Sequence, residues 1–163
     1  MLLLFANLGW GQVKPAAEGG GADNGLYGLF SNARPNYGDQ WLVGGTAGGY
    51  LQWNRFVGID GRVTALRWGP SSFHQYYGVI GPRVALNRGH ITLYGAGEGG
   101  IAHARTADDS EYAGTWLLTA GLDYQIRPRI KLRLGEFGYG RIYVLEHGLN
   151  PKAVSAGVVV KLF

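Results

Sequence analysis

Apolar and polar residues alternate along most of the chain with a period of two. Such alternation predicts β-strands with one apolar face, whereas no stretch of 12 or more residues shows the spacing of an amphipathic helix. We therefore predict eight strands, at residues 26–32, 42–53, 56–68, 75–86, 91–103, 114–125, 130–144 and 154–163.

The connections between these strands alternate in length. Three are tight turns, at residues 54–55, 87–90 and 126–129, and four are longer and polar, at 33–41, 69–74, 104–113 and 145–153. Short turns at one end and long loops at the other are typical of transmembrane β-barrels. A tilted strand of about 9 to 11 residues crosses a bilayer, and most of the predicted strands are long enough.

The two faces of each strand predict where charge lies. In strand 56–68, Val57 and Val63 share one face, and Asp60 and Arg62 share the other. Alternation alone does not distinguish a membrane barrel, with its apolar face outside, from a soluble barrel with that face inside. Charges of both signs on the polar faces favour the membrane barrel, because a narrow lumen must pair its buried charges. The predicted lumen charge network comprises Asp60, Arg62, Arg83, Glu98, Asp123, Lys131 and Arg133.

Aromatic residues gather at the predicted strand ends. Trp53, Phe56 and Tyr124 lie beside tight turns, and Trp68, Tyr76, Tyr112 and Trp116 lie toward the long loops. Two such groups indicate interfacial aromatic girdles.

Two local irregularities have structural explanations. Glu136 breaks the alternation set by Lys131 and Arg133, and a β-bulge near Gly135 would return it to the inward face. The glycine-rich segment 95–100 has no helix after it, which favours close packing or bending of the barrel wall over a nucleotide-binding loop.

Composition excludes several classes of site. The chain has 29 glycines, 13% aromatic residues and no cysteine, so disulfide frameworks and thiolate metal sites are excluded. Its net charge of +4 comes from scattered residues rather than a basic run, which argues against nucleic-acid binding. The four histidines have no metal-ligand spacing, and we expect no cofactor or metal. His74 with Asp108, Asp109 and Ser110 is a conceivable catalytic group, but a solvated loop explains those residues equally well.

The N-terminus is apolar over residues 1–8 and then rich in glycine and alanine. It is too short for a transmembrane helix, which needs about 20 apolar residues. Residues 1–25 are interpreted as a residual signal peptide and flexible lead-in, and residues 26–163 as a single barrel domain. A disordered or strand-adding tail is the alternative for the first segment.

Several segments together resemble the small outer-membrane barrels of the OmpA/OmpX-like, porin-superfamily type. They are Tyr27 with Gly28, and the segments 58–62 (GIDGR), 78–83 (GVIGPR), 120–124 (AGLDY) and 155–163 (SAGVVVKLF). The resemblance implies an all-β, eight-stranded antiparallel up-and-down transmembrane β-barrel in a bacterial outer membrane. It also implies insertion by the barrel assembly machinery, which reads a C-terminal signal formed by Val158, Val160, Leu162 and Phe163. One departure is Lys161, which stands third from the end where the family has an apolar residue.

The expected function follows from the size of the barrel. Eight strands enclose an interior that side chains can fill, which argues against a wide diffusion pore. We expect a non-enzymatic, monomeric protein with a structural, envelope-integrity or surface-interaction role, whose partners are outer-membrane lipid and the assembly machinery. The alternatives are a soluble lipocalin-like carrier of small molecules and a lipid A-modifying enzyme at the rim.

Overall fold

The computed structural model describes residues 23–34, 41–67, 74–105, 110–143 and 150–162. They form eight strands: β1 (Asp23–Arg34), β2 (Leu42–Gln52), β3 (Val57–Arg67), β4 (His74–Arg88), β5 (Ile91–Arg105), β6 (Ser110–Arg127), β7 (Ile130–Ile142) and β8 (Lys152–Lys161). Each strand pairs antiparallel with the next, and β1 pairs with β8 to close the barrel. The predicted all-β, eight-stranded antiparallel up-and-down barrel is confirmed.

Strand boundaries differ from the prediction at several ends. β1 begins at Asp23, so the last residues of the predicted lead-in belong to the first strand. β5 ends at Arg105 and β6 begins at Ser110 rather than Gly114, so both ends of the predicted loop 104–113 belong to strands. The physical reason is that backbone pairing continues to the Arg105–Ser110 pair, and ladder hydrogen bonds do not depend on side-chain alternation.

The barrel is apolar outside and charged inside. Val57, Val63 and Leu118 are exposed on the outer wall, whereas Asp60 and Arg62 are buried in the lumen. A soluble barrel has the opposite arrangement, so the distribution is that of a barrel whose wall faces lipid. Among the residues that the structure describes, no helix is long and apolar enough to cross a bilayer.

Exposed aromatic side chains lie near both ends of the outer wall. Trp53 and Phe56 flank the β2–β3 turn, and Trp41, Tyr76 and Tyr112 lie toward the longer connections. This arrangement agrees with two interfacial girdles; Trp68 lies outside the described residues.

A β-bulge in β7 turns Glu136 inward, as the sequence predicts. Leu122 pairs with Gly135 and Asp123 with Arg133, so Leu134 is left without a partner in β6. The extra residue restores the inward phase, and Glu136 is buried.

Glycine is required at two kinds of position. Gly89, in the turn between β4 and β5, has a φ of 61°, which other residues rarely adopt. In β5, a Cβ at Gly100 would overlap the carbonyl oxygen of Gly78. Close packing of the wall is therefore confirmed for this glycine of segment 95–100.

Candidate functional site

The centre of the lumen is organised around Arg62, which projects from β3. Its guanidinium donates from Nε to Glu98 Oε1 at 2.9 Å and from Nη1 to Glu136 Oε1 at 2.6 Å. A longer contact of 3.4 Å joins Nη2 to Asp60 Oδ1. The four side chains come from β3, β5 and β7, so one arginine ties together three strands that lie in different parts of the wall.

Two further arginines extend the network across the lumen. Arg83 Nη1 donates to Asp60 Oδ2 at 2.9 Å, and Arg83 Nη2 lies 3.9 Å from Asp123 Oδ2. Arg133 donates from Nε to Asp123 Oδ1 at 2.8 Å and from Nη1 to Glu136 Oε2 at 2.9 Å. All the arginine side chains of the network are almost fully buried. Such pairs overcome their desolvation cost only with good geometry and further hydrogen bonds.

Three lumen tyrosines supply those further interactions. The phenol hydroxyls of Tyr27 and Tyr94 donate to Asp60 Oδ1 and Glu136 Oε2, each at 2.5 Å. Arg83 lies between the rings of Tyr50 and Tyr94, with its Cζ 4.2 and 4.0 Å from the two centroids. Its guanidinium is therefore stabilised by two ring faces as well as by carboxylates.

Arg133 is enclosed in the same way. Its Cζ lies 4.3 Å from the ring centroids of both Tyr27 and Tyr94. Tyrosine rings and guanidinium groups thus alternate across the lumen in the order Tyr27, Arg133, Tyr94, Arg83, Tyr50. The stack places apolar ring surface between the ion pairs.

Each of the three tyrosines lies opposite a glycine on the neighbouring strand. The cross-strand pairs are Tyr27 with Gly48, Tyr50 with Gly25, and Tyr94 with Gly121. A Cβ on any of these glycines would meet the tyrosine ring at 3.0 Å or less. Each ring therefore packs over its partner glycine, and this orientation directs its hydroxyl group along the wall.

The turn side of the lumen carries a separate ion pair. Lys131 Nζ donates to Asp23 Oδ2 at 2.5 Å and contacts Thr92 Oγ1 at 3.4 Å. Lys161 Nζ lies 3.4 Å from the other carboxylate oxygen, Oδ1. Asp23 is a site residue that sequence reasoning missed, because it falls within the predicted lead-in.

Toward the loop side, charges give way to hydroxyl groups. Ser155 donates to Ser31 at 2.9 Å, and Ser31 and Thr64 each lie 2.8 Å from Thr46. The four hydroxyls cross β8, β1, β2 and β3 in order, so each one satisfies its neighbour.

Beyond the hydroxyls, toward the loop end of the lumen, lies an apolar layer. Tyr77 packs against two groups of small and aliphatic side chains on opposite walls: Ala33, Leu42, Leu66 and Ala153, and Ala102, Ala113 and Ile142. This layer and the charged one therefore lie in series along the lumen.

The structure brings the seven predicted lumen residues into this interior, each with at most 4% of its surface exposed. Six of them, Asp60, Arg62, Arg83, Glu98, Asp123 and Arg133, belong to the central network, and Lys131 belongs to the turn-side pair. Val158, Val160 and Leu162 are exposed on the outer wall, and Phe163 lies outside the described residues.

The other residues with possible chemistry are described only in part. The side chains of His74 and His103 lie on the outer wall near Tyr76, and His90 lies in a turn. Of the conceivable catalytic group, the structure describes only the side chain of His74. Within the described ranges, no three His, Cys, Asp or Glu side chains are arranged to hold a metal ion.

Several known structures with the same fold are bacterial outer-membrane barrels. Neisserial surface protein A superposes with a TM-score of 0.69 at 12% identity, covering 86% of this chain and 97% of that one. OprG of Pseudomonas aeruginosa gives 0.58 at 9% identity, covering 88% and 97%. The N-terminal barrel of OprF from the same organism gives 0.53 at 15% identity, covering 85% and 98%.

No protein-family profile matches the sequence, and no curated protein matches it significantly. The closed barrel, its lipid-type exterior and its charged interior nevertheless define a class. The chain is a small eight-stranded β-barrel of the bacterial outer-membrane type, and the predicted class is confirmed at the level of the fold.

Proposed function

We propose that this protein is a non-enzymatic outer-membrane barrel with a structural, envelope-integrity or surface-interaction role, and that it is not a wide diffusion pore. The observation that supports the proposal is that buried side chains form two layers in series along the lumen. The central layer contains buried ion pairs with tyrosine rings between them. The loop-side layer is apolar and contains Tyr77. Interaction with other molecules is then left to the outer wall and to the connections.

The alternatives receive less support from the same observations. A lipocalin-like carrier needs an apolar interior cavity for its ligand, whereas Arg62, Arg83 and Arg133 occupy this interior. A rim enzyme needs a nucleophile and a base within hydrogen-bonding reach. His74 instead faces the outer wall, with its ring 6.4 Å from that of Tyr76.

Assembly is proposed to depend on the closing strand. Val158, Val160 and Leu162 form an outward apolar row, and with Phe163 they would be the signal that the barrel assembly machinery reads. Lys161 supports this register because it turns inward to Asp23. We also propose that the folded barrel is a monomer and that residues 1–25 include the remnant of an export signal.

The test uses single-cysteine reporters, since the chain has no cysteine of its own. One reporter is Asn150→Cys, at a position beside a long connection, and the other is Arg88→Cys, at a position beside a tight turn. In intact cells, a membrane-impermeant maleimide should label the first and spare the second, and both proteins should show heat-modifiable gel mobility. A soluble, detergent-free monomer would contradict the proposal, as would equal labelling of the two sites.

A further inference from the structure

The outer wall carries an open apolar groove on its loop-side half, with a volume of about 800 Å³. Its floor is formed by small outward-facing residues: Gly28, Gly45, Ala47, Ala65 and Gly78. In one row across the sheet, Gly45 and Ala65 lie between Phe30 on β1 and Tyr76 on β4. Large side chains therefore flank a floor on which a chain-like apolar group can lie.

Basic side chains stand at the loop end of this groove. Arg67 lies two residues beyond Ala65 on the same face of β3, and it is paired across the sheet with His74. On β1, the guanidinium of Arg34 lies 5.9 Å from the ring centroid of Trp41. The groove thus has an apolar floor and a cationic mouth.

The acidic charges that the structure describes are confined to one side of the wall. The acidic side chains that the structure describes all lie in the lumen: Asp23, Asp60, Glu98, Asp123 and Glu136. On the loop-side half of the outer wall, the described charged side chains are the cations Arg34, Arg67, Arg141 and Lys152. Among the described residues at this depth of the outer wall, the charged side chains that could meet an anion are therefore cations.

We propose that the groove binds a membrane lipid with an anionic phosphate headgroup. An acyl chain would lie over Gly45 and Ala65, and Arg67, with His74 beside it, would donate hydrogen bonds to the phosphate. Arginine suits this role because its planar guanidinium forms paired hydrogen bonds with phosphate oxygens. The inference rests on the proposed membrane location.

Charge favours a lipid over a second copy of this chain. In a two-fold contact through the groove, the same patch of each copy would meet its equivalent. The cationic mouths around Arg67 would then approach each other, and like charges repel. An anionic lipid supplies the opposite charge and a matching apolar chain.

The experiment uses the full chain in nanodiscs of phosphatidylcholine that contain phosphatidylglycerol with a photoactivatable acyl chain. Cross-links mapped by mass spectrometry should concentrate on β1–β4. Ala65→Leu fills the floor and should reduce them several-fold, with Ala47→Leu as a second filler if the first does not fold. Ala120→Leu, an exposed outward position on β6 away from the groove, is the matched control and should leave them unchanged.

Competition then tests the headgroup. Unlabelled phosphatidylglycerol should displace the probe from the wild type about fivefold better than phosphatidylcholine does. A preference of this size is what roughly one basic residue contributes to the binding of an anionic lipid at a membrane surface. Arg67→Gln should abolish that preference, and Arg141→Gln, on β7, should retain it. The inference would be overturned by even labelling around the wall, by equal effects of Ala65→Leu and Ala120→Leu, or by chain-to-chain cross-links from the groove. Failure of the wild type to insert would instead count against the proposed function.

Discussion

Tyr94 links the wall of the barrel to the charges inside it. Its hydroxyl donates to Glu136, and its ring separates the guanidinium groups of Arg83 and Arg133. The same ring lies over Gly121 on the next strand. Because the hydroxyl and both ring faces are engaged, the ring cannot move away cheaply. Position 121 therefore requires glycine for space.

Gly121→Ala should destabilise the barrel by about 1–3 kcal/mol, the usual cost of overpacking. The added methyl group would collide with the Tyr94 ring. Gly99→Ala, where a Cβ meets nothing within 4 Å, is the control and should change the free energy of unfolding by no more than about 0.5 kcal/mol. Urea unfolding in lipid vesicles measures both values, and similar losses would show that the ring is free to move.

Arg62 is the residue whose loss should be most costly. Arg62→Met leaves Glu98 without its guanidinium partner and Glu136 with only that of Arg133, and breaking a buried ion pair costs about 3–5 kcal/mol. The double change Arg62→Met with Glu98→Gln should recover part of that loss, because it removes a charge of each sign. Urea unfolding again provides the measurement. No recovery in the double variant would mean that packing of Arg62, rather than charge, accounts for the loss.

The register of the closing strand β8 explains why a lysine stands at position 161, where the barrels that the sequence resembles have an apolar residue. Lys161 faces the lumen and reaches Asp23, so the outward row is Val158, Val160 and Leu162. The strand therefore keeps an apolar outer row in a register shifted by one residue.

Val158→Arg should reduce the folded fraction recovered from membranes. An arginine on the lipid face costs about 2–4 kcal/mol near the bilayer midplane, and Val158 is exposed between Gly28 and Leu132 near the middle of the wall. Val158→Leu is the control and should assemble normally. Val159 is unsuitable for comparison because it is fully buried against Tyr27, Leu29 and Tyr50. Heat-modifiable gel mobility measures assembly, and equal yields of the two variants would mean that Val158 does not face lipid.

Period-two alternation was sufficient to predict the strands and the inward face of most of them. It failed at Asp23, because the glycines and alanine at residues 19–22 offer no contrast between apolar and polar positions. It also does not specify which charges pair: Lys131 and Asp23 are 108 residues apart in sequence. Such partners follow from the order of the strands and from their stagger, and the pattern within one strand contains neither. The stacking of tyrosines between arginines was missed for the same reason.

At the scale of the whole molecule, the barrel combines a charged central layer with an apolar layer on the loop side. Arg62 and Glu98 form part of the first layer, and Leu66 and Tyr77 form part of the second. Flow through two barriers in series stops when either barrier is closed. The proposed absence of a wide pore would then have its physical origin in the lumen itself.

Conductance across planar bilayers should therefore respond to the two layers together and not to either one alone. Leu66→Ala with Tyr77→Ala opens the apolar layer, and Arg62→Ala with Glu98→Ala thins the charged layer while removing one charge of each sign. Each pair should leave potassium current near the low level of the wild type, because the other layer stays filled. The fourfold variant should give a larger current than either pair, since both layers then offer less resistance. Heat-modifiable mobility of each variant shows that the barrel is folded before its current is read. A large current from Leu66→Ala with Tyr77→Ala alone would mean that the charged layer is permeable to ions, and a large current from the wild type would contradict the filled lumen itself.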